Sequence, residues 1–124
     1  MSIQKIIDKE IQAVSDIAFE YMSGTGMDWT KSETVCAFRE SGRHMFLAIV
    51  HRVDGTRSRI DQDIGEISPF FSKIAEIRME NVNEINWNAL RIFTTNKNET
   101  QTEYIADPNF EEDVIERLWE EVDI

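Results

Sequence analysis

Thr34-Val35-Cys36-Ala37-Phe38-Arg39-Glu40-Ser41-Gly42-Arg43-His44-Met45-Phe46-Leu47-Ala48-Ile49-Val50-His51-Arg52 decides the fold. Residues 45–50 form an unbroken run of six apolar side chains. The run is too short for a lone helix and has polar residues on both sides, so it reads as a strand covered on both faces. Ser41-Gly42-Arg43 can reverse the chain from a first arm at residues 34–40. The stretch is therefore a hairpin whose second arm is expected to be the central strand of a sheet. A strand buried twice needs cover from two sides, and three amphipathic segments elsewhere can supply it.

The first lies at residues 3–22, where Ile3, Ile6, Ile7, Ile11, Val14, Ile17, Ala18, Tyr21 and Met22 share one stripe at helical spacing. Ser2 is its expected N-cap, and Gly24 its stop in the left-handed conformation. Gly24-Thr25-Gly26 follows a helix and lacks both the third glycine and the Lys-Ser/Thr of a phosphate loop. Downstream, Asp54-Gly55 marks a turn into a third strand at residues 56–62, whose Arg57, Arg59, Asp61 and Gln62 suit an edge. Residues 61–66 place acids at alternate positions, but the spacing and the missing twelfth-position glutamate do not fit a calcium loop. Ser68-Pro69 reads as cap and first residue of a second helix reaching Val82, with Phe70, Phe71, Ile74, Ile77 and Val82 inward. Residues 87–95 and Thr100–Ile105 form a second hairpin through Asn96-Lys97-Asn98. The expectation is one α+β domain over residues 1–124, with a five-stranded antiparallel sheet and three helices in the order α-β-β-β-α-β-β-α.

The closing segment completes the cover and carries the charge. Its Asn109 and Glu112 match a capping box, and on an α-helical wheel Phe110, Val114, Ile115, Leu118 and Val122 form the core stripe. Glu112, Asp113, Glu116, Glu120 and Asp123 fill the opposite arc, with Trp119 between the two. The chain has 24 acidic and 13 basic side chains and a formal net charge of −11. Residues 99–124 hold ten of the acids against Arg117 alone, a balance of −9, whereas residues 1–98 balance at −2. A helix dipole favours the acids of the first turn, Glu111, Glu112 and Asp113. It disfavours Glu120, Glu121 and Asp123, and the i, i+4 pairs among Glu112, Glu116 and Glu120 repel by a few tenths of a kcal/mol each. A solvated helix face is the plain reading; a face shaped for a cationic partner also accounts for the costs.

Such a charge balance disfavours nucleic acid and anionic membrane as direct partners. No apolar run approaches the roughly 20 residues of a bilayer span, and Met1-Ser2-Ile3-Gln4-Lys5 does not open a secretory leader, so a cytoplasmic location is expected. Catalytic signatures are missing: there is no G-x-S-x-G elbow, no H-E-x-x-H and no convergent His/Asp/Glu set. The single cysteine, Cys36, fits a small core residue in a strand. His44 and His51 stand seven apart, which puts them on opposite sheet faces and prevents them from sharing a metal. No catalysis, cofactor or metal is expected.

Trp29 after the first helix, the Trp87-Asn88-Ala89-Leu90-Arg91-Ile92 strand with Tyr104 on its partner, and Glu116-Arg117-Leu118-Trp119-Glu120 near the end give the chain a family resemblance. It resembles the YezG-like immunity proteins, small cytoplasmic antitoxins that protect bacteria from secreted polymorphic and contact-dependent toxins. The resemblance implies a protein without chemistry of its own that binds and neutralises a cognate toxin C-terminal domain, often a basic nuclease. The partner-binding residues expected from the charge pattern are Glu112, Asp113, Glu116, Trp119, Glu120 and Asp123. An acidic adaptor or DNA mimic that binds a basic host protein is the alternative.

Overall fold

Side-chain periodicity places the first helix, and tertiary pairing then decides the rest. The computed structural model describes residues 2–60 and 64–122, with only the backbone of residues 64 and 65. Helix α1 spans Ile3–Ser23 and is followed by β1 (Trp29–Phe38), β2 (His44–Arg52) and β3 (Arg57–Arg59). Helix α2 (Ile64–Glu80), β4 (Ala89–Thr95) and β5 (Thr100–Ile105) come next. The chain closes with a π-helical turn, Glu111–Glu116, that runs into α3, Arg117–Glu121. This is the α+β architecture expected, with three helices on an antiparallel sheet of five strands.

Strand order is β3-β2-β1-β4-β5, so the central strand is β1 and the apolar run in β2 lies one place out. A side chain reports whether its face is covered but not whether its backbone is paired on one edge or two. Val35 of β1 faces Leu47 on one side and Arg91 on the other. Pairing with β2 also extends β1 back to Trp29, five residues before the arm read from the sequence, through an irregularity between Trp29 and Lys31, and pairing with β4 reaches back to Lys31. The cover on β2 is as expected on both faces. Phe46 packs toward the two long helices, while Leu47 and Ile49 pack toward the closing helix.

Alternation along the strands separates two cores. Cys36, Phe38, Leu90 and Ile92 meet Ile7, Ile11 and Val14 of α1 and Phe71 and Ile74 of α2. On the opposite face Val35, Ala37, Leu47, Ile49 and Ala89 meet Phe110, Ile115 and Val122. Ser15 is fully buried within the first layer, and its hydroxyl lies 2.6 Å from that of Thr94 and 2.7 Å from that of Thr100, so α1 is tied to the second hairpin without an orphaned group.

Four local expectations change. Ser2 caps α1 as read, accepting from the Lys5 N–H. Gly24, however, stays right-handed, and Gly26 at φ +73° is the residue that takes the left-handed turn. Helix α2 begins at Ile64, which leaves Pro69 inside it. Near a helix start a proline forfeits a single backbone bond, here to the Gly65 carbonyl, so the helix accommodates it. Val82 lies beyond the end of α2 and is 66% exposed rather than inward. The capping box does not form; the Asp107 carboxylate takes the Asn109 N–H instead. The residues compared with a calcium loop, and the end of the third strand, include positions 61–63, which lie outside the described residues.

Candidate partner-binding surface

The closing helix is wound to suit its core contacts. In a regular α-helix residues five apart point well away from each other; i→i+5 winding brings them onto one face. Phe110 and Ile115 are five apart and both buried, at 2% and 3% exposure, so the π-helical turn seats both on the sheet. The angles of the α-helical wheel therefore do not apply over residues 111–116, although the same residues are inward. Arg39 fixes the first turn from the end of β1: its Nε and Nη2 donate to the two oxygens of Glu111 at 2.9 and 2.8 Å. These hydrogen bonds hold the Glu111 carboxyl below the usual range.

With the inner side anchored, Glu112, Asp113, Glu116 and Glu120 are exposed together, and none forms an ion pair among the described residues. Trp119 stands beside them, 59% exposed. Asp123, the sixth residue of the expected set, lies outside the described residues. The structure thus leaves five of the six exposed on the closing helix, and brings Glu116, Trp119 and Glu120 together along one groove.

Trp119 is positioned from below. The Arg59 guanidinium lies 4.0 Å from the centre of its ring, a cation–π stack that holds the indole out from the helix. Between Trp119 and the start of β2 runs a groove of about 360 Å³, lined by Met45, Phe46, Leu47 and Ile115, with Glu116 and Glu120 at its rim. Met45 is 37% exposed, so the apolar run is covered less fully at its first residue than at its centre. The sequence reading missed Met45, Leu47 and Arg59. The signal for Arg59 was its place on an edge strand, but nothing local says that β3 passes beneath residue 119.

Beside the closing helix, the same sheet face carries a charged cluster that the sequence reading also missed. Glu33 is buried to 9% exposure in the central strand. His51 Nε2 lies 2.8 Å from its Oε1, and Arg91 Nε lies 3.1 Å from its Oε2, an ion pair not aligned as a hydrogen bond. Burial pushes the Glu33 carboxyl up, but the His51 hydrogen bond and the charges of Arg91, His51 and Lys31 outweigh it, and the net shift is downward. The signal was present in β1, where Lys31 and Glu33 alternate with Ser32 and Thr34.

Elsewhere the chemistry is sparse. Cys36 is fully buried, and burial raises its thiol well above the ordinary range. His44 and His51 do lie on opposite faces, His44 against Ser68 at 3.1 Å and burial-shifted downward. A second hollow, about 560 Å³, opens between Arg39, Arg78, Asn88 and Asp107, where Arg78 donates to the Trp87 carbonyl at 2.9 Å. Among the described residues no three His, Cys, Asp or Glu side chains converge as metal ligands, and no helix is long and apolar enough to cross a membrane. No protein-family model and no curated protein matches the chain.

Proposed function

We propose that this is a cytoplasmic immunity protein that binds and neutralises a cognate toxin domain, a basic nuclease, without catalysis of its own. The observation that carries the reading is the exposed Trp119 beside a row of unpaired carboxylates at the rim of an apolar groove. Nuclease grooves bind a polyanion and are basic, so Glu112, Asp113, Glu116 and Glu120 can occupy positions where phosphates would lie. Complementary charge accelerates encounter and selects the partner; retention needs a desolvated anchor, for which Trp119 has the residue type and the setting.

The test is affinity capture from the source bacterium with tagged wild-type protein and a Glu116→Lys/Glu120→Lys bait in parallel, with recovered chains identified by mass spectrometry. Recovery of a basic nuclease fragment by the wild type alone supports the closing helix as the interface. Recovery by both baits moves the interface elsewhere, and recovery only of host regulators favours the adaptor reading. With the toxin in hand, Trp119→Ala is expected to weaken binding by at least about 2 kcal/mol. An unchanged affinity would remove the anchor.

A further inference from the structure

The closing helix covers only part of its sheet face, and the uncovered part has the opposite charge. Residues that pair directly across strands point to the same side. The register therefore places Lys31, Glu33, His51, Arg57, Arg59, Arg91, Phe93 and Glu103 on the face that carries the closing helix. The described helix covers Val35, Ala37, Leu47, Ile49 and Ala89, and its reach ends at Arg59 and Arg91. Beyond it lies a recess floored by strand side chains. Among the described residues, four fixed cations, Lys31, Arg57, Arg59 and Arg91, stand there against the carboxylates of Glu33 and Glu103. The cations belong to a chain whose net charge is −11.

The helix stands beside this recess as a ridge roughly 10 Å tall, and its outer side carries Glu112, Asp113, Glu116 and Glu120. An acidic ridge next to a basic recess on one face is self-complementary. A two-fold axis parallel to the sheet, running along the step between them at mid-height, turns the second copy face to face and sets each copy's ridge into the other's recess. We propose that a second copy of this chain docks on this face, ridge into recess, as an isologous dimer.

The footprint sets its strength. Five strands about 4.8 Å apart and four or five residues at about 3.3 Å give roughly 290 Å² of recess. Eleven helical residues at about 1.5 Å rise, about 10 Å wide, add roughly 160 Å². The projected total is below the roughly 800 Å² per partner of a standard interface, so the dimer is weak and concentration-dependent. Two copies at −11 also repel at long range. At about 0.1 M salt the Debye length is near 10 Å, which screens that repulsion and spares pairs in contact.

Sedimentation of the wild type at this ionic strength should show the mass rising from 14.5 kDa toward twice that value between micromolar and millimolar concentration. Glu112→Lys/Glu116→Lys/Glu120→Lys makes ridge and recess both basic, and Lys31→Glu/Arg57→Glu makes both acidic; each variant alone should remain monomeric, with an unchanged far-ultraviolet circular dichroism spectrum. Mixed together, they should form a one-to-one heterodimer, because each ridge then meets a recess of opposite sign. The first variant discriminates further. Its three substitutions add six positive units to −11, giving −5, so relief of net repulsion alone would make it associate more strongly than the wild type. A wild type that stays at 14.5 kDa throughout, a first variant that dimerises as well as the wild type, or a mixture that stays monomeric would each overturn the proposal. Failure here leaves the toxin-binding reading untouched, since Lys31→Glu/Arg57→Glu preserves the acidic helix for that assay.

Discussion

Replacing Phe110 by alanine tests whether the closing helix is held by its inner side strongly enough to present its outer one. Phe110 is 2% exposed, at the centre of the cluster that joins Val35, Ala37, Leu47, Ile49 and Ala89 to the helix. A buried phenylalanine removes roughly 170 Å² from water, which at about 25 cal/mol/Å² is about 4 kcal/mol. Alanine retains part of this, while the cavity adds a cost, and Phe→Ala in a core typically loses about 3–5 kcal/mol. Domains of this size are stable by roughly 5–15 kcal/mol, so the loss is a large share of the total. Urea unfolding followed by circular dichroism reads the free energy directly. The π-helical turn makes the result specific, because it exists to seat Phe110 and Ile115 together. Ile115→Val, a smaller deletion in the same cluster, should cost about 0.5–1.5 kcal/mol. A Phe110→Ala loss below about 1 kcal/mol would mean that the helix is not part of the cooperative core, and the geometry of the Trp119 surface would lose its foundation.

The Glu33 carboxyl titrates below its ordinary value in the fold, so the unfolded chain binds more protons across that window and stability rises with pH there. Stability should accordingly fall as pH drops from the ordinary glutamate range, near 4.5, through the folded value; Glu33→Gln should show a shallower acid limb in urea titrations at stepped pH, and an unchanged slope would refute the assignment. Tyr104 behaves in the opposite sense. Burial and the hydrogen bond to Asp8 raise its phenol to about 12, so its contribution is complete below the ordinary value near 10 and is lost as pH rises toward 12. Tyrosinate absorbance should contain a late-titrating phase that Tyr104→Phe removes. Gly55 has φ +89°, and a Cβ built there meets nothing within 4 Å; Gly55→Ala should therefore cost about 1–2 kcal/mol of backbone strain alone, and a stabilised variant would contradict the turn geometry.

Legibility in the sequence followed the range of the interaction. The period of α1, the Asp54-Gly55 and Asn96-Lys97-Asn98 turns and the doubly covered β2 rest on side-chain patterns within a few residues, and all are present. The capping box failed because Asp107, two residues before Asn109, reaches the same amide group that the box assigns to Glu112. Val82 failed because the helix ends at Glu80, before the residue whose spacing suggested burial. The acidic row and Trp119 were readable because they lie on one short helix. Their partners in the surface, Met45 and Arg59, were not, because two separate strands deliver them.

Local period and composition were enough to place the elements, their order and the concentration of negative charge in the last fifth of the chain. Tertiary structure decided that β1 is central, that the closing helix winds with i→i+5 spacing, that Arg59 stacks on Trp119, and that the acidic ridge shares its face with Lys31, Arg57 and Arg91. Strand pairing is a contact between distant segments through backbone groups that every residue possesses, and it leaves little mark on the side chains. Which charges become neighbours is fixed by that pairing.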